Sequence, residues 1–214
     1  MNRRQKQAYI WHSRHEDYKQ RIRQARRIIK KCYNNYENPY IAYSGGKDSI
    51  VLSHMVLSMY PDANVWHWDY GDDLMPRKYE KEVLVNIHDM GCKHLIVNKR
   101  KGKGENTSSG YKQFFGTIAE NKDKYGWDIG LIGIRQQESC NRRQTYTDYF
   151  MNDCCYPLLK LTVDDIWAYI IKNKLNYPSS YDLMGDYEGW DKIRFVTFND
   201  PEFDTLENHH GIFI

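Results

Sequence analysis

No stretch of this 214-residue chain approaches eighteen consecutive apolar residues, so no transmembrane helix is predicted and no membrane partner is expected. The first residues, Met1 to Lys6, are basic but lead into no apolar segment, unlike a secretory leader. Cysteine is scarce and unpatterned: Cys32, Cys92, Cys140, Cys154 and Cys155 are an odd set with no CxxC. That argues against a disulfide framework and a zinc site, and predicts reduced thiols in a cytoplasmic protein. His12 with His15, and His209 with His210, lack further partners at ligand spacing and are expected to be surface histidines. No internal repeat is present. The length suits one ordinary domain with a full core.

Charge is present in quantity but unevenly placed. The net value of +3 hides a balance of +9 over residues 1–35 and −6 over the rest. A basic segment on an acidic body fits nucleic acid, another anionic partner, or a homodimer in which the N-terminal helix of one copy covers the other. Within residues 16–35, Tyr18, Ile22, Ala25, Ile29, Cys32 and Tyr33 recur at three- and four-residue spacing, which predicts a helix with a basic outer face. The plainest reading of that face is a docked helix with solvated cations.

From residue 39 the chain alternates. Strands are predicted at 39–43, 65–68, 94–98 and 129–134, and helices at 48–59, 76–90 and 111–122. Pro76 near a helix start and Gly91 after its end follow the usual asymmetry. Thr162, with Asp165 three residues on, predicts a capped helix to about 173, burying Val163, Ile166, Trp167 and Ile170. Residues 99–110 have a loop composition, and from Tyr177 the chain reads as loop and tail. The division expected is a basic helical arm at 1–37, a nucleotide-binding domain at 38–185 and a tail at 186–214. Strands alternating with helices predict an α/β, doubly wound, mostly parallel sheet, whose ligands bind at the C-terminal strand ends. Three motifs fall at such ends: Ser44 to Ser49, Asp69-Tyr70-Gly71 and Gly133-Ile134-Arg135.

The first of these, Ser44-Gly45-Gly46-Lys47-Asp48-Ser49, joins a strand to a helix start. Glycines let backbone N–H groups approach an anion, and the helix terminus adds about half a positive charge. Lys47 supplies a cation, and Ser44 and Ser49 supply hydroxyls. It is not the GxxxxGK[ST] loop, because Asp48 follows Lys47 and Ile41 stands where the first glycine belongs.

The same hexapeptide resembles the signature of the PP-loop, or adenine-nucleotide α-hydrolase, superfamily. Within it the chain looks like the phosphoadenosine phosphosulfate reductase family, which includes the small subunit of ATP sulfurylase. Asp69-Tyr70-Gly71 resembles that family's Asp-Thr-Gly. Gly133-x-Arg135-x-x-Glu138-Ser139-x-x-Arg142 resembles its Gly-x-Arg-x-x-Glu-Ser-x-x-Arg. Pro157-Leu158, the 165–170 segment and Tyr177 to Asp182 resemble its later blocks, so the likeness covers about residues 38–185.

The resemblance implies a Rossmann-like, HUP-type fold with helices on both faces. It implies that Ser44, Gly45, Gly46, Lys47, Asp48 and Ser49 hold the phosphates of an adenine nucleotide. Asp48 would also take Mg²⁺. Tyr43 and Asp69, with Tyr70 and Gly71, would flank adenine and ribose. Gly133 and Ile134 would line the base pocket, while Arg135, Glu138, Ser139 and Arg142 would bind the substrate's anionic group. Lys47, Asp48, Arg135 and Arg142 would be catalytic. Residue chemistry alone also allows Glu138 and Arg142 to be a surface helical pair, Arg143 to be solvated, and Trp167 and Tyr169 to be core.

The departures matter. The family's reductases use a nucleophilic cysteine in a C-terminal Glu-Cys-Gly-Leu-His segment, whereas no cysteine follows Cys155 here. Cys154-Cys155 lacks the later CxxC of iron–sulfur relatives, so no iron–sulfur cluster is expected. The intact loop implies ATP as substrate, cleaved at the α-phosphate with release of pyrophosphate and adenylylation of an acceptor. The alternatives are a reductase using Cys140, Cys154 or Cys155, and a nucleotide-binding accessory protein of a mobile-element or CRISPR system that contacts nucleic acid.

Overall fold

The computed structural model describes residues 1–72, 74–101, 107–195 and 211–212. Two N-terminal helices, α1 (Arg3–His12) and α2 (Glu16–Asn35), precede the first strand, β1 (Pro39–Tyr43). The chain then runs α3 (Lys47–Leu57), β2 (Asn64–Asp69), α4 (Arg77–Asp89), β3 (His94–Lys99), α5 (Thr107–Tyr125) and β4 (Ile129–Ile132). A 3-10 turn at Gln136–Glu138 and α6 (Cys140–Thr145) lead to β5 (Phe150–Met151) and β6 (Cys154–Cys155). Next come α7 (Val163–Lys172), α8 (Ser180–Glu188), and a small parallel pair, β7 (Arg194–Phe195) and β8 (Gly211–Ile212).

The main sheet has the order β3-β2-β1-β4-β6-β5, parallel throughout except for the β5–β6 edge pair. The chain moves outward from β1 to β2 to β3, then returns to lay β4 on the other side of β1. The strand order therefore reverses between β1 and β4, where doubly wound sheets open a crevice for ligands. Side-chain alternation builds a core on each face. Ile41, Tyr43 and Val65 point to one side and join residues of α2, α3, α4 and α7. Tyr40, Trp66 and Trp68 point to the other, with Trp127 and with Phe114 and Ile118 of α5. Helices thus cover both faces of the sheet, as the alternation predicts.

Several elements differ from the sequence expectation. Helix α1 and strands β5 and β6 were not predicted, and β4 ends at Ile132 rather than 134. Helix α5 begins at Thr107, inside the predicted 99–110 loop, of which residues 102–106 lie outside the described ones. The segment after Tyr177 contains α8 rather than loop alone, while His209, His210 and most of the 186–214 tail lie outside the described residues.

Helix α2 is docked, in keeping with the plainest reading of its periodicity. Tyr18, Ala25, Ile28, Ile29 and Cys32 of α2 are buried. Helix α1 is started by its own chemistry: Asn2 accepts from the Gln5 amide, and the Gln5 side chain accepts from the Asn2 amide. It is tied down at its far end by His12, whose Nε2 lies 2.8 Å from Asp165 Oδ1. The predicted surface histidine is therefore a link between helices. Asp165 also receives two bonds from Arg21 of α2, at 2.6 and 2.9 Å, and caps α7 by accepting from the Thr162 amide. Burial alone would raise this carboxyl, but Arg21, the Thr162 amide and His12 outweigh it and hold it low.

Candidate nucleotide site at the strand-order reversal

Two loops meet at the reversal, one from the end of β1 and one from the end of β4. The first turns on Gly45, whose φ of +80° belongs to the left-handed region. A Cβ there would also lie 2.3 Å from Val83 Cγ2, so the position is closed to other residues twice over. Gly46 is the N-cap of α3 and, being glycine, has no side chain with which to cap that terminus. The serines close the loop on itself: Ser44 Oγ and Ser49 Oγ are 3.1 Å apart, and Ser49 Oγ donates to Gly46 O at 2.9 Å.

The second loop is pressed onto the first. A Cβ on Gly133 would lie 3.0 Å from the Asp48 carbonyl carbon, so this glycine lets β4 deliver its loop directly against the first turn of α3. Two residues later, Arg135 is buried and donates through Nε to Asp48 Oδ1. Asp48 Oδ2 lies 3.4 Å from Lys47 Nζ. Burial alone would raise the Asp48 carboxyl, but Arg135 and Lys47 together hold it down to about 2. The carboxylate is thus ionised between two cations.

Glu138 joins Arg135 to Arg142. Its Oε2 accepts from the Arg135 amide at 3.0 Å and from Arg142 Nη1, and its Oε1 is 3.6 Å from Arg135 Nη2. With 6% of its side chain exposed, Glu138 is no surface pair, which removes that reading of the Glu138–Arg142 spacing. Ser139 caps α6 by accepting from the Arg142 amide at 3.0 Å, so it positions Arg142. Arg143 is exposed, as expected of a solvated side chain. Trp167 and Tyr169 are core residues, again as expected.

The Lys47 side chain is 2% exposed, and its ammonium donates to Ile193 O at 2.8 Å. Its amide donates to the Tyr181 hydroxyl at 3.0 Å. Residues that follow the sheet in sequence therefore reach back to the loop. They are held there by the aromatic group of Trp167, Tyr177, Tyr181 and Trp190, whose Trp167 indole N–H donates to Trp190 O at 2.6 Å.

The third motif, at the end of β2, is placed on the same rim but is differently engaged. Asp69 accepts two bonds from Arg77 of α4, at 2.9 and 3.0 Å, and one from the Gly71 amide at 2.8 Å. Burial works against its ionisation and is outweighed by Arg77 and that amide. Tyr70 is half-buried and packs against the Trp66–Trp68 core, and Ile134 is half-buried beside Gly133.

Tyr43 departs from its expected part. Its ring is buried in the core, and its hydroxyl donates to Val83 O at 3.0 Å, so the side chain is not presented to flank a base.

Two features were missed in the sequence. Arg77 is one. The other is a buried pair beneath the loop, in which His67 Nδ1 meets Tyr43 O at 2.8 Å and Nε2 meets Glu80 Oε1 at 2.9 Å. Since a carbonyl only accepts, Nδ1 carries a proton and the second contact shares one more. Both partners sit where alternation predicts plain core, and only their spatial meeting reveals the pair.

Among the described residues no group of three or more His, Cys, Asp or Glu side chains could hold a metal. Asp48 is the carboxylate within the 44–49 loop, which suits Mg²⁺ because that ion is often held by one carboxylate together with phosphate oxygens and water. Cys155 is buried and its thiol is held protonated by its hydrogen bond with Cys32 and by burial; burial likewise raises Cys154. No described helix is long and apolar enough to cross a membrane.

The phosphoadenosine phosphosulfate reductase domain model matches residues 38–188. Sulfate adenylyltransferase subunit 2 of Pseudoalteromonas translucida is 28% identical over 133 residues, covering 54% of this chain and 42% of that protein. The chain thus matches less than half the length of this curated relative. Among solved structures, the fold resembles Candida glabrata FMN adenylyltransferase in complex with FAD and inorganic pyrophosphate. The TM-score is 0.59 at 15% identity, over 83% of this chain and 65% of that one. It also resembles NMN synthetase from Francisella tularensis, with a TM-score of 0.54 at 12% identity, over 74% and 71% of the two chains.

Proposed function

Because the chain belongs to the phosphoadenosine phosphosulfate reductase domain family, we propose that it binds ATP with Mg²⁺ and cleaves it between the α and β phosphates. The observation that carries this reading is the meeting of the glycine-led N-terminus of α3, Lys47 and Asp48 with Arg135 at the strand-order reversal. A helix start with glycine-bared amides is an anion site, and a second cationic loop pressed against it suits a ligand with charge at more than one phosphorus.

In this reading the β and γ phosphates lie on the amides of the 44–49 loop. An acceptor's lone pair attacks the α-phosphorus, the bond to the bridging oxygen breaks, and pyrophosphate leaves with the electron pair. Lys47 and the helix terminus stabilise the charge that develops on it. Arg135, kept cationic by Asp48 and Glu138, faces the α-phosphate, with Arg142 held beside it through Glu138. Bound Mg²⁺ supplies charge neutralisation to the phosphate oxygens. Asp48 is the residue that would hold it, in exchange for part of its present contact with Arg135 or Lys47. Phosphate binding likewise draws the Lys47 ammonium from the Ile193 carbonyl. The relatives' names, an adenylyltransferase subunit and an adenylyltransferase with pyrophosphate, support the same chemistry.

Calorimetric titration with ATP, ADP and AMP in the presence of Mg²⁺ tests the placement. Affinity is expected to fall at each loss of a phosphate, and Lys47→Ala to weaken ATP at least tenfold while leaving AMP nearly unchanged. Equal affinities for ATP and AMP would overturn it.

A further inference from the structure

Between α2 and the chain on either side of β6 lies a cleft of about 560 Å³. Arg23, Gln24 and Arg27 of α2 line one side, and Tyr149, Pro157 and Lys160 the other; no lining residue is acidic. Arg21, at its edge, is committed to Asp165, and Arg23 to the exposed Glu16. Arg27 and Lys160 form no ion pair with any described carboxylate, and Lys160 donates instead to the neutral Gln136 Oε1 at 2.6 Å. Gln136 follows directly on Arg135. The cleft therefore abuts the loop that supplies the nucleotide site's second cation.

The cleft continues into a longer basic surface. Lys19, Arg23, Arg26, Arg27 and Lys30 are all exposed on α2. Of these, Lys19, Arg23, Arg26 and Lys30 recur every three to four residues, a cation about every 5.4 Å along one side of the helix, with the exposed Glu16 shared between Lys19 and Arg23. Beyond them Lys31 lies 5.2 Å from the centroid of the Phe150 ring, next to Tyr149. A single small anion would be satisfied by the cleft alone and leaves this row unexplained. A linear anion with a repeating charge and flat stacking groups uses the row, the cleft and the rings together. The rest of the chain carries a net −6, so the balance of charge favours this segment for such a partner.

We propose that this face binds a nucleic-acid strand, with its backbone along α2 and a phosphate in the Arg27–Lys160 cleft, so that the strand runs beside the nucleotide site. The proposal goes beyond the ATP reading and is measured without nucleotide, so either can fail alone.

The test is fluorescence anisotropy of a labelled single-stranded 20-nucleotide probe with the full chain. Four neutralised phosphates give a slope of about −2.8 in log K against log salt, or about a 50-fold loss between 50 and 200 mM. Arg27→Glu and Lys160→Glu, both on the surface, should each weaken binding about tenfold. Lys93→Glu, an equal charge change where Lys93 pairs with Asp62, should not. Affinity that is insensitive to salt, or lowered equally by Lys93→Glu, overturns the proposal. So does competition by poly-glutamate as effective as by unlabelled strand, which assigns the face to an acidic protein. Circular dichroism of each variant separates lost binding from lost folding.

Discussion

Gly45 joins the backbone requirement of the loop to the packing beneath it. Its positive φ costs any other residue roughly 1 kcal/mol, and the Val83 side chain would have to move to admit a Cβ, at about 1–3 kcal/mol more. Gly45→Ala is therefore expected to destabilise the protein by about 2–4 kcal/mol in urea denaturation. Adding Val83→Ala should relieve the steric share of the Gly45→Ala cost and leave the backbone share. A double-mutant cycle without coupling between the two sites would contradict the close approach. At this scale the sequence was legible where a residue's type carries its own chemistry: the glycines, Lys47, Asp48 and Arg135 stand together in space. It was not legible where chemistry comes from a distant neighbour. Arg77 reaches Asp69 from another element, and Tyr43 looks like a rim aromatic until its hydroxyl is found on Val83.

Among the elements, local signals and long-range ties divide the chain differently. Strand β1, the Pro76 start of α4 and the Thr162–Asp165 box of α7 were readable because their causes lie within a few residues. Helix α1 was not readable, because it fully buries none of its residues and its apolar ones fall together at Ala8 to Trp11 instead of repeating at helical spacing. It stands on contacts far along the chain: the N-terminal amine to Asp182, Gln5 to Asp186 and His12 to Asp165. Asp165 is thus the junction of α1, α2 and α7. Asp165→Asn leaves Arg21 facing a neutral partner and should cost about 3 kcal/mol at neutral pH. The sign of its pH dependence follows from the lowered carboxyl. The wild-type contribution is fully present above the unfolded carboxylate range, about 4, and is lost as pH falls through the folded value. The gap between wild type and variant should accordingly narrow on acidification in denaturation curves. A gap that is constant with pH would show that the charge of Asp165 is not what binds the helices.

On the scale of the whole molecule, the fold brings three strand ends to one rim and places the reversal of strand order between the loop that carries Lys47 and Asp48 and the loop that carries Arg135. The alternation of strands and helices was enough to anticipate the doubly wound sheet. The return of residues 181–193 onto Lys47 was not, since nothing local in that segment announces its partner. The consequence is a loop whose cation and amide already have partners, and a nucleotide must compete for them.

Product analysis by phosphorus NMR, with ATP, Mg²⁺ and the full chain in the presence and absence of a nucleic-acid strand, addresses the central claim most directly. AMP, free or attached to an acceptor, should appear in step with pyrophosphate, and both should vanish in Asp48→Asn. ADP with inorganic phosphate as the products, or pyrophosphate release undiminished in Asp48→Asn, would contradict cleavage at the α-phosphate by this site.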